Sequence, residues 1–91
     1  MKFKATIQYW KGKSGLAIAD VPDKHILALG GLKQRRVRGT INGVEYMSNV
    51  WPAGSGRLAL SVSQKMMKSA GIDVGDAARF EIEVVPKSSS G

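Results

Sequence analysis

Thr40-Ile41-Asn42-Gly43-Val44 lies at the centre of the 91-residue chain and decides how its two halves meet. Asn-Gly is the strongest short-range signal for a two-residue hairpin turn, because both residues tolerate a positive φ. The pattern predicts a strand over residues 35–42 before the turn and another strand after it. Since successive side chains alternate between faces, Val37, Gly39 and Ile41 form the inner face of the first strand.

The sequences before and after this turn resemble each other at a spacing of 41 residues. Two copies are too few for a repeat array, so the spacing predicts one domain over residues 1–85, made of half-repeats 2–42 and 43–84. The Ser-rich residues 86–91 are expected to form a flexible tail. The aligned pairs include Trp10 with Trp51, Ser14 with Ser55, Gly30 with Gly71, Arg38 with Arg79, and Ile41 with Ile82.

Each half is predicted to run strand, strand, helix, strand. The first strand of each half alternates, which turns one set of its side chains toward the core. Short strands follow at Leu16 to Ala19 and Leu58 to Leu60, and the last strand covers residues 77–85. The predicted inner residues are Phe3, Ala5, Ile7 and Tyr9, then Val44, Tyr46, Ser48 and Val50, and finally Ala78, Phe80 and Ile82.

Two short helices are predicted at equivalent places, over residues 21–29 and 62–70. Asp20 and Ser61 precede them and are good N-cap residues. Gly30 and Gly71 stand where a left-handed residue would end each helix.

These elements predict a mainly β fold, a small α+β protein. Six or more twisted strands with two short helices can form a closed pseudo-twofold β-barrel of two strand-strand-helix-strand halves, which leaves no exposed sheet edge.

The residues around the central turn also carry a family resemblance. The chain resembles the domain-of-unknown-function family numbered 1905 over about residues 1–84, with Tyr46 in place of Phe and Met67-Lys68 in place of Arg-Lys. The resemblance implies a barrel of the double-split or double-psi type, a Gly-Asp turn before the last strand, and no established activity. Some bacterial members accompany a YdeI/OmpD-associated domain. The matching residues are Thr40 to Val44, Pro52, Gly54 to Arg57, Leu60, Lys65 and Gly75-Asp76.

Composition narrows the class of protein. The chain has a net charge of +7 and no cysteine, so disulfides and thiolate metal sites are excluded. It shows no apolar signal region and no run long enough to span a membrane. We therefore expect a soluble cytoplasmic protein without a membrane partner. The basic charge raises nucleic acid as a partner, although it also keeps a small protein in solution.

Catalytic and metal-binding groups are sparse, so neither an enzyme nor a cofactor or metal site is expected. His25 is the only histidine and aligns with Met66, which indicates a packing role. An enzyme would need Asp20, His25 and Glu45 to meet in a cleft. The segment 11–15 contains Gly-Lys-Ser but lacks the first glycine of a phosphate-binding loop.

Three smaller expectations concern charged and sulfur-containing side chains. Asp76 should accept backbone N–H bonds in the Gly-Asp turn. Glu81 and Glu83 could lie opposite Arg36 and Arg38. Met66 and Met67 are expected in the core.

The leading functional prediction is a non-enzymatic binding module, because loops on a rigid barrel commonly carry function. Trp10 and Trp51 either cap a barrel end against a helix or form an aromatic surface beside cationic side chains. The ligand would be a small anionic molecule or a protein partner such as a YdeI-type domain, with the protein a monomer or weak homodimer. The candidate residues are Trp10, Lys11, Lys13, Asn49, Trp51, Ser55 and Arg57.

The alternative prediction is nucleic-acid binding through the basic strand together with tryptophan stacking. Its candidate residues are Lys33, Arg35, Arg36 and Arg38. Such binding would weaken steeply with salt, because phosphate contacts release counterions.

Overall fold

A computed structural model describes residues 1–10 and 16–85. The predicted turn at residues 11–15, with Lys11 and Lys13, and the predicted tail at residues 86–91 lie outside this part. The strands are β1 (Lys2–Thr6), β2 (Gln8–Tyr9), β3 (Ala17–Val21), β4 (Arg35–Ile41), β5 (Val44–Gly54), β6 (Arg57–Val62) and β7 (Ala77–Val84). The helices are α1 (Asp23–Ile26) and α2 (Gln64–Ala70).

The strands form one antiparallel sheet in the order β1-β7-β4-β5-β6-β3-β2, which curls into a nearly closed barrel. β1 and β2 stand at the two ends of this order, yet only Ile7 separates them in the chain. The segment 2–9 therefore pairs with β7 through its first part and with β3 through its second. The predicted mainly β barrel is confirmed, and it is nearly closed instead of fully closed.

The core lies inside the barrel and follows the predicted alternation of the strands. Val37, Ile41 and Ile82 are each at most 1% exposed, and both Met66 and Met67 are buried. Tyr9 lies on the predicted inner face, opposite the buried Ala17, but it is 43% exposed. It belongs to a two-residue strand at the end of the sheet order, where its ring is not enclosed by a second neighbouring strand.

The central turn is a tight hairpin, as the sequence predicts. Asn42 has φ 50° and Gly43 has φ 86°, which is the pair of positive values that a type I′ turn requires. The turn places β4 and β5 in a ladder that runs from Ile41 opposite Val44 to Arg35 opposite Val50.

The helix starts differ from those predicted, because the strands before them are longer. Asp20 lies in β3 opposite Ala59, and Ser61 lies in β6 opposite Ile18, so neither residue caps a helix. α1 begins after Pro22 and has no side-chain cap, while Ser63 Oγ accepts the N–H of Met66 at 3.1 Å at the start of α2.

Of the two helices, only α2 ends at the predicted glycine. Gly71 ends α2 in the left-handed conformation, with φ 69°. α1 ends earlier than expected, at Ile26, with Leu27 as its C-cap; Gly30 is therefore not its cap, although it has φ 95° in the turn that follows.

The predicted polar contacts are partly confirmed. Arg38 Nε lies 3.3 Å from Glu83 Oε1, and Asp76 Oδ2 accepts the N–H of Asp73 at 2.9 Å. The expected contact between Glu81 and Arg36 is wrong, because the β4–β7 register places Glu81 opposite Thr40. Neither helix of the described chain is long and apolar enough to cross a membrane.

Candidate functional site

Trp10 and Trp51 meet on the outer surface of the barrel. Their ring centroids are 4.7 Å apart and their planes are inclined at 84°, so one ring presents its edge to the face of the other. Trp51 is in β5, and the N–H of Trp10, directly after β2, donates to the carbonyl of Leu16 at 2.8 Å. Such an edge-to-face pair contributes about 0.5–1.5 kcal/mol beyond the area it buries.

The sheet beneath this pair is apolar on its outer side. Ile18 in β3 is 1% exposed and Ala59 in β6 is fully buried, yet neither belongs to the core inside the barrel. Trp51 is in register with Ala59, and Trp10 lines the same cavity as Ile18. The two tryptophans are therefore placed to cover a second, smaller apolar cluster outside the barrel.

An open cavity of about 580 Å³ adjoins the tryptophan pair. Trp10 and Arg57 line it, and Ser55 lies in the β5–β6 turn at φ 54°. We call Trp10 and Trp51 the aromatic rim. The residues lining the cavity are Gln8, Tyr9, Trp10, Ile18, Ala53, Gly54, Ser55 and Arg57.

Arg57 is held at this cavity by Asp20. Its Nη2 donates to both carboxylate oxygens of Asp20, at 2.7 and 2.9 Å, and Gln8 Nε2 donates to the same carboxylate at 3.1 Å. Both side chains of the ion pair are close to half exposed, so the pair adds little to stability. Its effect is to orient Arg57 while leaving the other guanidinium N–H groups unbonded within the described chain.

The predicted rim residues are only partly brought together. Trp10, Trp51, Ser55 and Arg57 gather at one end of the outer face. Asn49 is half-buried on the same face of β5, two residues before Trp51 and opposite Arg36. Lys11 and Lys13 lie outside the described residues.

Sequence reasoning missed Gln8 and Asp20 as members of this site. Asp20 was assigned to a helix cap. The signal that could have found Asp20 is the pairing of β3 with β6. An antiparallel pair of these strands brings Asp20 close to Arg57.

The basic strand proposed for nucleic acid does not present a single cationic stripe. Arg35 is half-buried with its guanidinium against Gly30, and its Nε is buried without a hydrogen-bond partner in the described chain. Arg36 and Arg38 share the exposed outer face, where Arg38 is paired with Glu83. Lys33 is exposed in the loop before β4.

The residues that an enzyme would have needed hold separate partners. Asp20 binds Arg57, Glu45 lies opposite Thr40, and His25 Nε2 is 3.2 Å from the carbonyl oxygen of Lys2. The His25 ring also lies 6.0 Å from Phe3, as a packing histidine would. Within residues 1–10 and 16–85, no three acidic, histidine or cysteine side chains are grouped as metal ligands are.

A family model described as "Domain of unknown function (DUF1905)" matches residues 3–82. The chain belongs to the DUF1905 family. No curated protein matches it. The predicted family is thereby confirmed, and it brings no activity with it.

The residues that suggested DUF1905 mostly build turns in this member. Asn42, Gly54, Gly56 and Gly75 all have positive φ values. Asp76 closes the turn before β7 through its bond to the N–H of Asp73. Because these residues shape the backbone, they identify the barrel without identifying a ligand.

Proposed function

We propose that this protein is a non-enzymatic binding module that takes a small anionic ligand with a planar group at the aromatic rim. The observation that carries the proposal is the edge-to-face pair of Trp10 and Trp51 beside an open cavity that Trp10 and Arg57 line. Both tryptophans are half-buried, so part of this aromatic pair stays exposed at the surface.

The groups at the cavity suit such a ligand. A planar ring can stack on Trp10, and the remaining N–H groups of Arg57 can donate to an anionic oxygen. Asp20 holds Arg57 at the cavity and also neutralises part of its charge. Lys11 and Lys13 follow Trp10 directly in the sequence and would add positive charge.

The pseudo-twofold order of the strands supports this location. The strand order maps onto itself when β1–β2 is exchanged with β5, β3 with β6, and β4 with β7. Trp10 and Trp51 occupy aligned positions of the two predicted half-repeats and touch each other. We infer that the site lies where the two halves meet. We also propose a cytoplasmic location, because a chain without cysteine needs no oxidising compartment.

The test is tryptophan fluorescence during titration with three probes: naphthalene-2-sulfonate, its neutral analogue naphthalene-2-methanol, and methanesulfonate. Naphthalene-2-sulfonate should quench the tryptophan fluorescence saturably. Naphthalene-2-methanol and methanesulfonate should bind at least about tenfold more weakly, because each lacks one recognised group. Arg57→Gln should weaken the binding of naphthalene-2-sulfonate by a similar factor. Lys68→Gln, the control on α2, should leave this binding unchanged. Equal responses to all three probes would reject the proposal.

Single-stranded nucleic acid is the second candidate. It is favoured by the position of Arg36, which is exposed and opposite Asn49, one diagonal step from Trp51 on the same face. The association constant for a labelled oligothymidine, measured by anisotropy, should then fall with salt. Its logarithm should fall against the logarithm of salt concentration with a slope of about −0.7 for each phosphate contact, and Arg36→Gln should make that slope less steep. Binding that is unchanged between low and high salt would exclude this candidate.

A further inference from the structure

The outer face of the β1–β7 pair carries two positive charges directly opposite each other. Lys4 is in register with Arg79, and both side chains are exposed. Directly opposite side chains in an antiparallel pair have Cβ atoms about 4.5–5.5 Å apart, and like charges at this spacing destabilise the sheet. The pair is therefore an electrostatic cost that the fold retains.

Neighbouring charged positions on the same face are complementary. Lys2 is opposite Glu81, and Arg38 is opposite Glu83 with a contact of 3.3 Å. In contrast, neither Lys4 nor Arg79 forms an ion pair with any other described residue. The repulsion between them is not relieved by a carboxylate of the described chain.

The backbone beneath this pair is firmly held. Asn42 Oδ1 accepts the N–H of Arg79 at 2.8 Å, and the N–H of Asn42 donates to the carbonyl of Arg79 at 2.8 Å. The central hairpin turn is thus tied to β7 at the residue that carries the charge. Arg79 can rotate its side chain, while these bonds hold its backbone to the central hairpin turn.

An open depression of about 720 Å³ lies over these charges. Three cations and one carboxylate line it, so an anion entering it meets a net positive surface. The lining residues are Lys2, Phe3, Lys4, Thr40, Asn42, Gly43, Arg79, Phe80 and Glu81.

We propose that this depression, the Lys4–Arg79 site, binds the phosphate group of a small phosphorylated compound. A dianionic phosphate compensates both charges at once, whereas a carboxylate compensates only one. The planar guanidinium of Arg79 matches two phosphate oxygens, and Lys4 supplies a point charge from the opposite strand. The site is on β1 and β7, away from the aromatic rim on β2 and β5, and does not depend on it.

The test uses amide chemical shifts of the full chain during titration with inorganic phosphate against chloride at constant, low ionic strength, since salt screens exposed charges. Shifts should be saturable and concentrated in residues 2–5, 42–43 and 78–81. Lys4→Gln and Arg79→Gln should each weaken binding about tenfold, the usual effect of losing one charge-assisted hydrogen bond. Lys68→Gln, which removes the same charge from α2, should leave the affinity unchanged.

A second titration with glycerol 1-phosphate distinguishes the phosphate monoester from the free ion. Affinity equal to or tighter than that of inorganic phosphate supports the proposal. It is overturned if the ester fails to bind, if the shifts spread evenly over the surface, or if all three variants bind phosphate alike. A response to heparin with none to either small phosphate would also overturn it.

Discussion

Trp51 lies in register with the fully buried Ala59 on the outer side of β6, so the β3–β6 part of the barrel is buried on both faces. A small barrel with one core would leave this outer face to water. Here Trp51 and its partner Trp10 are positioned over it, and Trp10 still borders an open cavity. The same two rings therefore serve stability and, in our proposal, ligand binding.

The tryptophan pair should show measurable coupling. In a double-mutant cycle with Trp10→Leu and Trp51→Leu, urea unfolding should give a coupling free energy of about 0.5–1.5 kcal/mol, the range for edge-to-face aromatic pairs. A cycle combining Trp10→Leu with Leu27→Ala provides the control, since Leu27 is 87% exposed. Strict additivity in the first cycle would mean that the ring contact contributes nothing.

The apolar cluster under the rim should matter for stability. Ile18→Ala should lower the free energy of unfolding by about 2–4 kcal/mol, because it removes buried methyl groups and leaves a cavity. The matched control is Leu27→Ala, which changes a side chain that is 87% exposed and should shift stability by less than about 0.5 kcal/mol. Similar values for the two variants would show that Ile18 is not covered.

Tyr46 should be a stabilising site when changed to Phe. Its hydroxyl is buried and has no partner within the described chain, so Tyr46→Phe should raise the free energy of unfolding by about 1 kcal/mol. Tyr9→Phe, at an exposed tyrosine, is the control and should be close to neutral. A clear loss of stability in Tyr46→Phe would indicate that the hydroxyl is hydrogen-bonded.

Ionisation of the same tyrosine should make the free energy of unfolding depend on pH. Burial raises the pKa of Tyr46 above its ordinary value of 10.0. Above pH 10 the unfolded chain then loses this proton while the folded chain keeps it, so its contribution is complete below pH 10 and falls as pH rises further. The free energy of unfolding of the wild type should fall more steeply above about pH 10 than that of Tyr46→Phe. Parallel curves would contradict the burial of this phenol.

Gly39 should not tolerate a side chain. A Cβ there would overlap the carbonyl oxygen of Glu81 on β7, and both are backbone positions in a paired ladder. Gly39→Ala should cost about 3 kcal/mol or more, or prevent folding, as overpacking against backbone does. Thr40→Ala, at the next residue of β4, should cost under about 1 kcal/mol. Thermal unfolding of both variants makes the comparison.

Asp20 should limit the affinity of the rim for anions. Asp20→Asn removes the carboxylate that neutralises Arg57, so naphthalene-2-sulfonate should bind several-fold more tightly while stability changes by under about 1 kcal/mol. Asp23→Asn, exposed in α1, changes the net charge equally and serves as the control. Equal gains in both variants would assign the effect to net charge alone.

Local sequence signals predicted the parts of the fold that depend on neighbouring residues. Asn42-Gly43 requires two positive φ values, and the alternation of Val37 and Ile41 needs only the strand period. Asp20 and Ser61 could not be assigned in this way, because either a cap or a strand suits them. The pairing of β3 with β6, between residues far apart in the sequence, decides for the strand.

Several residues of the candidate site could be predicted from the sequence, but the contacts between them could not. The repeat aligned Trp10 with Trp51 and marked both as outward-facing, yet equivalence in two half-repeats gives no distance between them. Their contact depends on how the segment 2–9 closes the barrel against β3. The Asp20–Arg57 pair depends on the same long-range pairing, so no local pattern contained it.

The most direct measurement is the response of the two indole N–H signals in a ¹H–¹⁵N spectrum during titration with naphthalene-2-sulfonate. Binding at the aromatic rim predicts that both indole signals shift together with the backbone amides of Ser55 and Arg57, along one saturation curve. If both indole signals stay in place at probe concentrations that saturate shifts elsewhere, the rim is not the binding site and the proposed function is wrong.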